Sequence, residues 1–116
     1  MAKSVLIVDD HAPFRAVARE LLEHAGYVVA GEAADASQAL AAADSAAPDV
    51  VLLDVQLPDR DGFAVAKALR ERGDPVVVLV SSRDAEDYGT KIETCGARGF
   101  IPKSRLSAAA FAALVE

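Results

Sequence analysis

The sequence predicts a doubly wound α/β fold, a parallel sheet with helices on both faces, and three observations point there. Apolar runs alternate with segments of helical periodicity along the whole chain, five of each. Four of the five strand segments are continuous or nearly continuous apolar runs, as parallel strands covered on both faces require. The chain has 116 residues, 53% of them hydrophobic and 26% charged, with no internal repeat, linker or second composition regime. That composition suits one globular domain over residues 1–116, able to bury about two-thirds of its unfolded surface. Crossovers between parallel strands are right-handed.

The first strand is Ser4–Val8, and it runs into Asp9 and Asp10. Phe14, Val17, Ala18, Leu21, Leu22 and Ala25 then recur at helical spacing, with Arg15, Arg19, Glu20 and Glu23 opposite. Pro13 suits the first turn of this helix and Gly26 its C-terminal stop. Tyr27–Glu32 reads as a weaker strand, and an Ala-rich helix follows from about Asp35 to Ala46, ended by Pro48. Val50–Asp54 is the central buried strand, bounded by the turn residues Leu57–Pro58–Asp59. A third helix spans about Arg60 to Arg72, with Phe63, Ala66 and Leu69 inward and Gly73 closing it. Pro75–Val80 is the fourth strand and delivers Ser81 and Ser82 to its end. Asp84 to Cys95 reads as a weak helix, because Gly89 in its interior costs ~1 kcal/mol relative to Ala and its apolar face is thin. It is expected to be the mobile one. Gly99–Ile101 is a short fifth strand that Pro102 confines to an edge. Ser104 to Glu116 completes the chain as a helix offering Leu106, Ala110, Phe111 and Leu114 to the core.

The formal net charge of −6 argues against direct nucleic-acid binding, which needs clustered Lys and Arg. A single cysteine, Cys95, leaves no internal disulfide and fits a reducing compartment. No apolar run approaches the ~18 residues of a membrane span, and the N-terminus leads into a strand rather than a signal peptide. The expectation is a cytoplasmic chain with no membrane contact.

In open α/β sheets the site lies outside the carboxyl ends of the strands. Here those ends supply Asp9 and Asp10, Asp54, Ser81, and Lys103 just past strand five. Three clustered carboxylates raise one another's pKa unless compensated, and a hard divalent cation with oxygen ligands, Mg²⁺ best, compensates them. Such a site suits phosphoryl transfer, which needs in-line positioning and charge neutralisation more than covalent help. Asp54, on the central strand, is the best-held nucleophile, with the Lys103 ammonium and the Ser81 hydroxyl covering the remaining sides. Singly, these residues have ordinary explanations: a helix cap, a loop serine, a surface lysine. It is their common register at the strand ends that makes a site. His11 and His24 read as exposed helix residues without partners spaced for a metal, and Cys95 as a small packed residue. No Gly-rich phosphate loop follows the first strand, and a calcium loop over Leu57–Ala68 fails because its first and last ligand positions, Leu57 and Ala68, are not acids.

These residues in these positions resemble the receiver domain of two-component response regulators, and the resemblance covers the whole chain. The family pattern is an acidic pair after strand one, Asp after strand three, Ser or Thr after strand four and Lys after strand five. An aromatic switch sits inside strand five, here Phe100. The resemblance implies a flavodoxin-like five-stranded sheet of order 2-1-3-4-5 with five helices. It implies that Asp54 accepts a phosphoryl group from a sensor histidine kinase or phosphotransfer protein. Asp10 and Asp54 would bind Mg²⁺ with the Gln56 backbone carbonyl, and Asp9 would hold a metal-bound water. Lys103 would pair with phosphoryl oxygens, and Ser81 would move to hydrogen-bond them while Phe100 turns into the vacated space. The face of helix four, strand five and helix five would then change its partner preference, with homodimerisation on activation one expected result. Asp9–Asp10–His11 with Phe14–Arg15, and Val29–Ala33, resemble receivers usually joined to a helix-turn-helix output domain in transcription regulation. No such output domain is expected in these 116 residues. Ser82 stands where the family usually has Ala or Gly, and Phe100 lacks the hydroxyl of the commoner Tyr.

The chain is accordingly expected to be a phosphoacceptor signalling domain rather than an enzyme. Two rivals are weaker. A phosphohydrolase using an aspartyl-phosphate wants a second acid close behind the nucleophile, and Val55–Gln56 offers none. A phosphorylation-independent interaction module would be natural if an acid, the Ser or the Lys were missing, and all are present.

Overall fold

The computed structural model describes residues 2–116. The strands are β1 (Ser4–Val8), β2 (Val28–Ala33), β3 (Val50–Asp54), β4 (Val76–Ser81) and β5 (Gly99–Pro102), all paired in parallel in the order β2-β1-β3-β4-β5. The helices are α1 (Ala12–His24), α2 (Ala36–Ala46), α3 (Gly62–Arg70), α4 (Lys91–Thr94) and α5 (Ala108–Val115). The fold class and strand order expected from the sequence are both found.

Successive residues of one strand feed opposite cores, which is why the strands read as unbroken apolar runs. Leu6, Val8, Val51 and Leu53 join Ala39, Ala66 and Leu69 of α2 and α3 on one face. Val5, Ile7, Val50 and Leu52 join Leu22 of α1 and Phe111 of α5 on the other. Every residue of β3 is buried, so this strand is the axis of both layers. The edges are less covered: Val28, at the start of β2, is 54% exposed. Val17, assigned to the inward stripe of α1, is 61% exposed; Ala18 and Leu22 are the buried residues of that helix, with Phe14 and Leu21 partly buried beside them.

Three helical segments differ from expectation, two through a local hydrogen bond and one through a glycine backbone. Asp61 accepts from the Ala64 amide, so α3 starts at Gly62 rather than near Arg60. Ser107 accepts from the Ala110 amide and starts α5 at Ala108, leaving Lys103–Arg105 as a separate 3₁₀ turn. The weak helix expected over 84–95 is divided. Ala85–Tyr88 forms a 3₁₀ turn, Gly89 follows at φ +58° and ψ −131°, and only Lys91–Thr94 is α-helical. A positive φ suits glycine and ends a helix, so this residue breaks the segment rather than merely weakening it.

The last turn of α5 is fastened across the molecule. Lys3 Nζ donates to the Val115 carbonyl at 2.6 Å and Arg98 Nη1 to the Leu114 carbonyl at 3.2 Å. The Tyr27 hydroxyl meets the Glu116 carboxylate, and burial, followed by that carboxylate, pushes the phenol up to about 12. At the other end of the sheet Asp59 reaches from the β3–α3 loop to accept from the Ala36 and Ser37 amides at 2.8 and 3.1 Å. These amides lie in the first turn of α2, so the loop after Asp54 is tied down by a neighbouring helix.

Ala47 terminates α2 in the left-handed region, at φ 44° and ψ 58°, directly before Pro48. Ala47→Gly is expected to stabilise the protein by about 0.5–1 kcal/mol by relieving that Cβ penalty. Urea unfolding checks it; an unchanged midpoint would mean the strain is not borne by the Cβ.

Candidate functional site

Strand ends bring the site together. Parallel strands all point their carboxyl ends the same way, so β1, β3, β4 and β5 deliver Asp9, Asp54, Ser81 and Lys103 to one rim of the sheet. Asp9 is 0% exposed, Asp54 4% and Ser81 1%, the only buried polar or charged residues among the described ones. Asp10 is exposed beside them.

The Lys103 ammonium sits between the two buried carboxylates, 2.6 Å from Asp9 Oδ2 and 3.3 Å from Asp54 Oδ2. Burial alone would lower the Lys103 pKa, but Asp9 and Asp54 outweigh it and the pKa is raised. Its Nζ also lies 4.6 Å from the centre of the Phe14 ring, so α1 supplies an aromatic face to the same cation. Asp54 has its pKa raised, chiefly by burial and further by the Asp9 charge. The Gln56 amide, donating to Asp54 Oδ1 at 3.1 Å, and Lys103 pull the other way.

Asp9, Asp10, His11 and Asp54 each offer a ligand atom, and these atoms all lie within 4.8 Å of one another. Asp9 Oδ2 is buried and accepts no well-angled hydrogen bond, so its contact with Lys103 is an ion pair of poor direction. A buried carboxylate oxygen left in that condition, among other carboxylates, is what a hard cation satisfies. The residues fit such an ion.

His11 corrects the sequence reading. It occupies the N-cap position of α1 without a side-chain capping bond, with Nδ1 3.1 Å from Asp10 Oδ1 and 3.4 Å from Asp9 Oδ1, and belongs to the metal-competent group. The turn from β1 into α1 gathers three consecutive residues, Asp9, Asp10 and His11, around one point. The same turn lets Arg15 Nη1 donate to the Asp9 carbonyl at 2.6 Å.

Ser81 and Phe100 lie on adjacent strands but do not meet Asp54 in the same way as Lys103. Ser81 Oγ is hydrogen-bonded to the Tyr88 hydroxyl at 2.6 Å and accepts from the Arg83 amide at 3.0 Å. The Tyr88 ring packs edge-on against Phe63, 5.4 Å between centroids, and obliquely against Phe100 at 5.9 Å. Sequence reasoning missed Tyr88, because its partners are spread over three elements and its own segment looked apolar-poor. Ser82 and Arg83 are exposed at the mouth.

Beneath Asp54 the chain is closely packed. The Gly62 amide donates to the Val55 carbonyl at 2.6 Å, and Gln56 and Asp61 form an antiparallel bridge. The first turn of α3 therefore rests on the peptide that follows the carboxylate.

Comparison with known proteins agrees with this geometry. The family described as Response regulator receiver domain matches residues 5–114. A putative transcriptional regulator of Pseudomonas aeruginosa is 35% identical over 100 residues, covering 85% of this chain and 48% of that protein. The chain spans about half or less of three curated relatives, 48%, 29% and 49% of their lengths. A LuxR-family two-component response regulator from Aurantimonas sp. SI85-9A1 superposes with a TM-score of 0.87 at 29% identity, over 97% of this chain and 81% of that one. The signal receiver domain of the putative response regulator NarL from Mycobacterium tuberculosis gives 0.85 at 33% identity, over 97% and 96%. Among the described residues no helix is long and apolar enough to cross a membrane.

Proposed function

The chain belongs to the response regulator receiver family, and from that premise we propose that Asp54 accepts a phosphoryl group from a phosphohistidine on a sensor kinase or phosphotransfer protein. A receiver is a signalling module of a phosphorelay rather than a catalytic enzyme. The observation that carries the proposal is a buried carboxylate at the end of the central strand, 3.3 Å from a lysine ammonium and inside a cation-competent acidic cluster.

In the step itself an Asp54 carboxylate oxygen bonds to phosphorus. The bond from phosphorus to the donor imidazole nitrogen breaks, and that nitrogen leaves with its electron pair. Lys103 neutralises charge on the phosphoryl oxygens, and the Ser81 hydroxyl turns to donate a hydrogen bond to one of them. Asp9, Asp10 and Asp54 would hold Mg²⁺ with the Gln56 backbone carbonyl; His11 lies within reach of the same position. Bound there, the ion offsets the repulsion between phosphate and carboxylates. The switch would proceed through Phe100 to the face of α4, β5 and α5, altering what docks there, a second copy of the chain included. The reading concerns residues 1–116 as one receiver domain at work in the cytoplasm; transcription regulation is the role suggested by the relatives.

The test is intact mass after incubation with Mg²⁺ and acetyl phosphate. A phosphoryl adduct on the parent and none on Asp54→Asn is the expected result; no adduct on the parent overturns the assignment. The same variant has a second signature. A carboxyl whose folded pKa is raised contributes stability below its unfolded value and loses it as pH rises through the folded value. Ionised Asp54 therefore costs stability at pH 7, and in EDTA Asp54→Asn is expected to be more stable by about 1 kcal/mol. The difference should shrink towards pH 4; a difference independent of pH would assign it to something other than the charge.

A further inference from the structure

We propose that the Tyr88 hydroxyl is a latch that holds Ser81 away from phosphoryl transfer until the group arrives. The inference rests on the reading of Asp54 as the acceptor. Ser81 Oγ carries one proton and two lone pairs. The Arg83 amide uses one lone pair at 3.0 Å, and the Tyr88 hydroxyl holds another direction at 2.6 Å, in a site only 1% exposed. Val80 is the β4 partner of Asp54, so Ser81 stands one residue beyond the acceptor's neighbour. With the Tyr88 hydroxyl oxygen as acceptor of the Ser81 proton, donation of that proton to a phosphoryl oxygen on Asp54 breaks the Tyr88 contact.

The consequence reaches the 3₁₀ turn. Ala85–Tyr88 buries no residue, and Tyr88 fastens it through the hydroxyl bond and its packing on Phe63 and Phe100. Gly89, at φ +58°, lets the chain pivot just beyond. Release of one hydroxyl thus frees the turn and uncovers one side of Phe100 together. Tyr88 acts through Ser81 and is a positioning residue.

The test compares phosphorylation rates by intact mass, at fixed Mg²⁺ and acetyl phosphate, for the parent, Tyr88→Phe, Ser81→Ala and the double variant. Tyr88→Phe keeps the ring and removes the bond, so adduct formation should accelerate about fivefold, the scale of one neutral hydrogen bond. In the Ser81→Ala background the same change should have no effect. An unchanged rate for Tyr88→Phe overturns the latch and leaves the acceptor reading intact. A slower rate also overturns it, assigning the two hydroxyls to a cooperative chain that helps the transfer. Equal acceleration with and without Ser81 overturns it in favour of general loosening. Absence of adduct from the parent removes the acceptor reading, and the latch with it.

Discussion

Gly62→Ala is expected to slow phosphorylation of Asp54 by ~100-fold and to destabilise the protein by about 2–3 kcal/mol. A Cβ at Gly62 would lie 2.5 Å from the Asp54 carbonyl oxygen and 2.8 Å from the Val55 Cα, distances that non-bonded atoms do not adopt. Both neighbours are backbone, so no side chain can swing aside. Either α3 lifts off β3, losing the short Gly62–Val55 hydrogen bond, or the peptide bearing the acceptor moves. In-line transfer tolerates neither, since a displacement near 1 Å already costs about two orders of magnitude. Acetyl phosphate kinetics and urea unfolding together check it. Full activity with reduced stability would mean that the helix yields and Asp54 stays in place.

Lys103→Met is expected to reduce the phosphorylation rate by about 100-fold and, less intuitively, to lower the stability of the unphosphorylated protein. The ammonium is the cation facing Asp9, which is 0% exposed, and without it two buried carboxylates confront each other. Breaking a fully buried pair costs 3–5 kcal/mol; with Lys103 itself 17% exposed the loss should be about 2 kcal/mol. Loss of the Phe14 contact adds in the same direction, though methionine retains part of the packing. Thermal unfolding in EDTA measures the effect. A variant as stable as the parent would show that Asp9 or Asp54 takes up a proton instead of repelling its neighbour.

The strands and the site were legible in the sequence for the same reason. Val5–Val8, Val50–Leu53 and Val77–Val80 are buried on both faces, so their pattern is continuous, and the polar residues at their ends can only be at the rim. What was not legible depended on a single backbone choice or on a distant partner. Gly89 decides between a weak helix and two fragments by its φ angle, which composition does not reveal. Ser104 and Ser107 are equally plausible helix caps by residue type, and the Ser107 bond to Ala110 selects the second. Tyr88 and Asp59 owe their roles to residues at least seven positions away, Ser81 for one and Ala36 for the other. His11 shows the limit in another way, since a turn brings together what helical spacing would separate.

The divided segment between β4 and β5 has a consequence for how such a chain can evolve. Neither Ala85–Tyr88 nor Lys91–Thr94 contains a buried residue, while Cys95 just beyond is wholly enclosed. Apart from Tyr88 and Ile92, which pack against the core, substitutions over these ten positions therefore draw little from the cooperative stability of the sheet. Selection for a new binding partner can explore this stretch without passing through unfolded ancestors. The chemistry, locked to the strand ends, is inherited unchanged, and recognition is left free to diverge.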